Sequence, residues 1–130
     1  MDIGHFPWLY PPEGAKPIDK NKAVTLAAAT SDVLLETIRG LQGYKGVLRY
    51  TDLYSANFGT AAVPRSYFTL KRDNQPIAEY VRILMPMVPE IKVLIFIEEN
   101  QVVTLHGTNL IGTDIPARYR LAGWYWRTTP

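Results

Sequence analysis

The stretch that most constrains the fold is residues 91–106, IKVLIFIEENQVVTLH, in which two apolar runs flank a polar break. In an extended strand the apolar residues of the first run point to both sides: Ile91, Val93, Ile95 and Ile97 to one, Leu94 and Phe96 to the other. A strand covered on both sides is typical of the middle of a sheet. Since residues 98–101 supply a polar turn before the second run, the segment predicts a β-hairpin whose first strand is central.

Residues 19–42 carry the pattern of a helix. Apolar or small residues recur there at three- and four-residue spacings: Val24, Ala27, Ala28, Ser31, Leu34, Leu35, Ile38 and Leu41. Asp19 suits the N-cap and Gly43 a left-handed stop. A competing interpretation breaks the pattern at residues 30–32, with residues 23–29 as a strand and Ser31 as the cap of a shorter helix.

The other elements predicted are short strands and loops. Strands are expected at 47–54, 67–72, 77–84 and 117–127, with a turn at 73–76, loops at 55–65 and 107–116, and a proline-rich crossover at 85–89. Gly123 is expected to mark a bulge. With strands pairing in sequential order, the prediction is an α+β fold: a mostly antiparallel sheet of about six strands, one N-terminal helix and a Pro-rich extended N-terminal arm.

The arm is residues 1–18, and residues 19–130 are predicted to form a single domain. Its prolines exclude a helix and a central strand, while Phe6, Trp8 and Tyr10 supply large apolar surface. Two interpretations stand side by side. Either these aromatic residues pack back over the sheet of their own chain, or the arm reaches a neighbouring subunit, where stiff aromatic anchors lose little entropy on docking.

Composition narrows the classes of function. The 130 residues carry a net charge of +2, which is low for a dedicated nucleic-acid binder. The absence of cysteine excludes a disulfide framework, a thiolate zinc site and a cysteine nucleophile. Phosphate loops, nucleophile elbows and metal-binding helix motifs are missing from the sequence, so no metal and no cofactor are predicted. Without a secretion signal or membrane-span pattern, the expected location is cytoplasmic, with no membrane partner.

One group of basic and aromatic residues could hold RNA. It comprises Arg65, Tyr67, Lys71, Arg72, Tyr80 and Arg82, with His106 at the end of the following hairpin. The segment from Ile91 to Gly107 resembles the closing hairpin of RelE-like ribonuclease toxins, which join a helical N-terminal part to such a sheet. That resemblance implies that Lys71 and Arg82 stabilise phosphate charge and that His106 or Tyr80 moves protons. The alternative for His106 is a hydrogen-bonded histidine at a strand end.

The C-terminal sequence Gly123-Trp-Tyr-Trp-Arg127 is the other unusual feature. In a strand, Trp124 and Trp126 share one face. They either close the core, bind a protein partner, or form a stacking platform for bases or sugars.

The preferred expectation is a non-enzymatic structural or assembly protein, such as a capsid, neck, tail or baseplate component of a phage or virus particle. Its partners would be protein subunits, either copies of itself or other members of the assembly. The predicted partner-binding residues are Phe6, Trp8, Tyr10, Arg118, Arg120, Trp124 and Trp126. The ribonuclease toxin is the first alternative, and a small-ligand or carbohydrate-binding module is the second.

Overall fold

The computed structural model describes residues 6–60, 62–77, 80, 82–84 and 94–128. These residues form eight strands: β1 (Lys16–Leu26), β2 (Thr30–Arg39), β3 (Tyr44–Ser55), β4 (Ser66–Arg72), β5 (Gln75–Pro76), β6 (Ile95–Ile97), β7 (Val102–Asn109) and β8 (Ile115–Arg127). They build two four-stranded antiparallel sheets. Sheet A has the order β1-β8-β3-β6 and sheet B the order β2-β7-β4-β5.

The pairing follows a simple rule: β1 pairs with β8, β2 with β7, β3 with β6 and β4 with β5. The first four strands therefore pair with the last four in reverse order, as in one long antiparallel hairpin. The additional pairs β3–β8 and β4–β7 join these strand pairs into the two sheets. Two sheets connected in this way are the topology of a jelly roll.

A single apolar core lies between the sheets. Sheet A contributes inward-facing residues such as Leu48, Leu53 and Leu121, and sheet B contributes Phe68 and Leu105. All five side chains are almost completely buried. Because residues of a strand alternate between its two sides, the even-numbered residues of β8 are left on the outer side of sheet A.

The predicted N-terminal helix is wrong, and with it the α+β class. Residues 19–42 form most of β1 and all of β2, and the described residues contain no helix. The alanines that suggested a helix lie in the turn between the strands, where Ala29 has φ of 54° and Ala28 N–H donates to Asp114. Pairing with β8 and β7 outweighs the helical preference of a short alanine run, because tertiary context overrides propensity. In the competing interpretation the shorter helix capped by Ser31 is wrong as well, although residues 23–26 of its predicted strand do lie in β1.

The predicted hairpin at 91–106 is also wrong in its pairing. The turn at Glu98–Gln101 exists, since Gln101 N–H donates to the Glu98 carbonyl. However, β6 pairs with β3 in sheet A, whereas β7 lies between β2 and β4 in sheet B. The turn thus carries the chain from one sheet to the other, and the first strand lies at an edge rather than in the middle. Residues 91–93 lie outside the described part.

Other predicted elements are confirmed in position. Residues 47–54, 67–72 and 117–127 lie in β3, β4 and β8, and the described residues of 56–65 form a loop. Of the strand predicted at 77–84, the described residues show an isolated bridge between Ile83 and Phe68. Residues 85–89 lie outside the described part. Sequential pairing holds for β4 and β5, but the remaining consecutive strands alternate between the sheets.

The bulge expected near Gly123 is present, on the neighbouring strand. The register between β3 and β8 shifts between Leu48 and Tyr50, which leaves Arg49 as the extra residue opposite Gly123. A Cβ atom on Gly123 would overlap the Val47 carbonyl, so the close approach of the two backbones requires glycine.

Candidate interaction surface

The outer side of sheet A, here called the outer A face, carries the C-terminal residues that sequence analysis predicted to bind a partner. Residues that point away from the core on β3, β6 and β8 form it: Val47, Tyr50, Asp52, Tyr54, Phe96, Arg118, Arg120, Trp124 and Trp126. The face has two halves. One half is aromatic and covered, and the other carries tyrosine and arginine side chains that remain accessible.

The N-terminal arm covers the aromatic half. Trp124 and Trp126 are buried beside Val47, and Trp8 and Phe96 pack against them. The Trp124 Nε1–H donates to the Pro7 carbonyl at 2.5 Å, and the Trp8 ring meets Phe96 edge-on at 6.4 Å between centroids. The arm therefore packs back over its own sheet, as one of the two interpretations expected. Since β1 begins at Lys16, its described part is residues 6–15.

The outer surface of the docked arm is apolar. Phe6, Leu9 and Tyr10 are 41%, 40% and 69% exposed. A backbone turn fixes them, because the N–H groups of Leu9 and Tyr10 both donate to the Phe6 carbonyl. The arm thus packs against sheet A through Trp8, and its opposite side is a second apolar surface that faces solvent.

A groove of about 340 Å³ opens where the arm meets the sheet edge. Trp8, Phe96 and Trp126 form its apolar walls, and Lys45 and Glu98 stand at its rim. The Lys45 ammonium lies 3.7 Å from the Glu98 carboxylate, so the two charges largely cancel. The groove therefore combines aromatic side chains with one ion pair.

The other half of the outer A face is open. Tyr50 and Tyr54 are 36% and 41% exposed, and the Arg118 guanidinium lies 4.9 Å from the centre of the Tyr54 ring. Arg120 donates two hydrogen bonds to Asp19 at 3.1 and 3.3 Å, and this carboxylate raises the pKa of Arg120. Tyrosine and arginine are the residue types enriched at binding hot spots.

Of the seven predicted partner-binding residues, Trp8 packs against Trp124 and Trp126 and the Phe6 ring contacts Trp8, whereas Arg118 and Arg120 lie on the other half of the face. Arg118, Arg120, Trp124 and Trp126 belong to the outer A face, and the arm carries Phe6, Trp8 and Tyr10 across it. The two tryptophans of β8 are beneath the arm, so in this arrangement the accessible groups are the arm's outer aromatics and the arginines. Tyr50 and Tyr54 were missed, although their alternation on a strand predicted at 47–54 could have indicated a common face.

Two residues of the ribonuclease alternative, Lys71 and His106, lie on sheet B. Lys71 and His106 both approach Asp32: the Lys71 ammonium is 2.5 Å from one carboxylate oxygen, and His106 Nδ1 is 3.6 Å from the other. His106 is nearly buried, and its Nε2 lies 2.9 Å from the Thr104 hydroxyl. We call this the outer B cluster. Within this cluster His106 is a hydrogen-bonded histidine on a strand, because each of its ring nitrogens lies close to a polar atom of a neighbouring residue.

The remaining members of that alternative are held elsewhere. The Arg82 guanidinium lies 5.0 Å from the centre of the Tyr67 ring, and Tyr80 packs against the core. The resemblance to RelE-like toxins depended on a helical N-terminal part and a β-hairpin at 91–107. The described residues have neither, so the resemblance loses its structural basis.

Two searches of the described part are negative. A helix long and apolar enough to cross a membrane is not found among the described residues. Groups of three or more histidine, cysteine or acidic side chains able to hold a metal ion are also not found there.

With the fold and the surface defined, the chain was compared with known proteins. No family model matches it, and neither the curated proteins nor the solved structures give a match.

Proposed function

We propose that this chain is a non-enzymatic structural protein that assembles with copies of itself through the outer A face and its arm, as a coat or other component of a virus or phage particle. It would assemble in the cytoplasm of the cell that makes it and end in the particle. The jelly roll supports this by analogy, because viral capsid proteins use this architecture, as do lectins and cupins. The observation that carries the proposal is the collection of exposed aromatic and arginine side chains on one face.

The sheet edges favour contacts through faces rather than strand addition. Along the edge strand β1, Lys20 and Lys22 are exposed and share the inner side with their partners Leu121 and Tyr119. Charged lysines pointing inward at an edge oppose pairing with another chain. The other edges are blunt as well: β2 carries two register irregularities, and β5 and β6 are described as two and three residues long.

A second copy fits the outer A face because the face carries both signs of charge. Arg118 and Asp52 both line a shallow polar depression of about 360 Å³. Two-fold symmetry is the commonest symmetry of protein oligomers, and it brings the same surface of two copies together. A surface that carries both signs of charge can be complementary to itself in such a contact. Tyr54 and Tyr10 then supply the apolar contacts.

The test is self-association of the full-length protein, measured by sedimentation velocity from micromolar to millimolar concentration. We expect concentration-dependent association that Tyr54→Ala or Tyr10→Ala weakens about tenfold, as for a hot-spot residue. Leu34→Ala is the matched control, because Leu34 is 57% exposed on sheet B. A protein that stays monomeric throughout, or equal weakening by the control, would refute the proposal.

The groove beside the arm supports a second candidate function, binding of a small neutral ligand or carbohydrate. Its three aromatic walls and cancelled rim charges suit a sugar ring, whose apolar face stacks on aromatics while its hydroxyls bond to polar groups. Calorimetric titration with a panel of neutral oligosaccharides tests it. Binding that Trp8→Ala abolishes and Tyr54→Ala leaves intact would establish it, whereas heats that stay at the dilution level for the whole panel would exclude it.

A further inference from the structure

The arm crosses the whole of sheet A. It continues into β1 at one edge, yet its named contacts are with Trp124 on β8 and with Phe96 on β6 at the opposite edge. Three strand spacings separate these edges, or about 14 Å. The surface that receives the arm is thus built mainly from strands other than the one to which the arm is joined.

A short turn directs the arm over its own sheet. The Ala15 N–H donates to the Pro12 carbonyl at 3.0 Å, and Gly14 has φ of +80°. That conformation is readily available to glycine and strained for other residues. Pro11 and Pro12 stiffen the segment before the turn, so extending residues 13–15 would project the arm past β1 as a unit.

An extended arm would uncover the apolar surface on which it docks, here called the arm receptor. Val47, Trp124 and Trp126 would lose the cover of Trp8, and the Trp124 indole N–H would lose its acceptor. The group that fits this receptor in every contact is the same segment of another copy, since residues 6–12 already satisfy it. Exchange between two copies keeps these contacts and changes only the turn.

We propose that copies of this chain assemble by exchanging arms, with residues 6–12 of each docked on Trp124 and Phe96 of the other and Gly14 as the hinge. This inference rests on the proposed function, because it specifies how the self-association is made. It adds a reciprocal contact in which Pro7 of one copy accepts the Trp124 hydrogen bond of its neighbour.

The test is an NMR experiment on the full-length protein. Uniformly labelled and unlabelled chains are mixed in urea, refolded together, and examined for isotope-filtered nuclear Overhauser effects. We expect cross-peaks between the Trp8 ring of one chain and the Phe96 ring of another. Self-association without interchain cross-peaks at these rings would overturn arm exchange while leaving the assembly proposal intact, and a monomeric protein would overturn both.

The hinge provides a second test with a matched control. Gly14 and Gly43 both have φ of +80°, and a Cβ atom at either position would meet no atom within 4 Å. Gly14→Ala strains the turn that an extended arm no longer needs, so we expect it to tighten self-association by about fivefold or more. Gly43→Ala introduces the same strain away from the hinge and should leave association unchanged. Equal effects of the two variants, or no effect of Gly14→Ala, would overturn the assignment of the hinge.

Discussion

The outward-facing side chains of the two sheets find their contacts in different places. On sheet B, the outer B cluster joins Asp32, Lys71 and His106 to one another, so its polar groups find their partners within the sheet itself. On sheet A, Trp124 and Trp126 pack beside Val47 and Phe96 of their own sheet, and Trp8 of the arm packs over them. The cluster on sheet B is formed within three neighbouring strands, whereas the aromatic half of sheet A is completed by a separate segment.

The difference indicates which of the two faces is available to a partner. Polar groups that already form ion pairs and hydrogen bonds with one another have few interactions left to make with a partner. Apolar surface that is covered by a separate segment can bind the same segment of another copy, because burial of apolar area is favourable in proportion to that area. The outer A face is therefore the side on which an interface is expected.

The largest expected effect comes from removing the main anchor of the arm. Trp124 is 6% exposed and its indole N–H bonds to Pro7, so Trp124→Ala removes both packing and a hydrogen bond. We expect the free energy of unfolding to fall by roughly 3–5 kcal/mol, measured by urea denaturation.

Tyr54→Ala is the matched control, since Tyr54 is an open aromatic on the same face, and it should cost less than about 1 kcal/mol. A loss in Trp124→Ala as small as that of Tyr54→Ala, below about 1 kcal/mol, would contradict burial of Trp124 beneath the arm.

An intermediate effect is expected inside the sandwich. The Tyr119 hydroxyl donates to the Glu36 carboxylate at 2.9 Å and thereby joins sheet A to β2 of sheet B. Burial, together with this carboxylate, raises the pKa of Tyr119 to about 12. Tyr119→Phe should lower the free energy of unfolding by about 1–2 kcal/mol at pH 7, because the carboxylate loses its donor.

The same residue predicts a pH dependence with a defined sign. As pH rises above 10.0, the ordinary tyrosine value, the unfolded chain loses the phenol proton before the folded chain does. Stability that Tyr119 contributes is therefore complete below pH 10 and is lost as pH rises towards 12. Urea denaturation of the wild-type protein and Tyr119→Phe across this range should show the steeper decline in the wild type, and parallel curves would contradict the raised pKa.

The sequence predicted strands better than their partners. Alternation identified β3, β4 and β8 because each buries one side, and that pattern is local. The pairing of β1 with β8 joins residues more than a hundred positions apart, such as Lys16 and Tyr125, and local pattern carries no information about it. The hairpin at 91–106 failed for this reason: its turn was visible, but the exchange of sheets at the turn was not.

The helix failed for a different reason. Val24 and Ile38 both pack in the core, yet they face it from two strands in different sheets, and their separation in the sequence happens to fit one face of a helix. The β-branched residues of the segment, among them Val24, Thr37 and Ile38, favoured strands, but the prediction followed the three- and four-residue spacing instead. The candidate surface was partly visible, because tryptophan, tyrosine and arginine indicate an interface wherever they cluster. Its cover by the arm depended on the fold.

The smallest expected effect concerns the outer B cluster. Asp32→Asn keeps a residue that tolerates the observed φ of 56° while removing the charge that faces Lys71. Since Asp32 is half exposed, we expect a loss of only about 0.5–1 kcal/mol, which shrinks in high salt as screening weakens the wild-type pair. Self-association should be unchanged, because the cluster is satisfied within its own sheet. A sedimentation profile altered by Asp32→Asn would remove the contrast between the two faces, and it would show that sheet B also contributes to the interface.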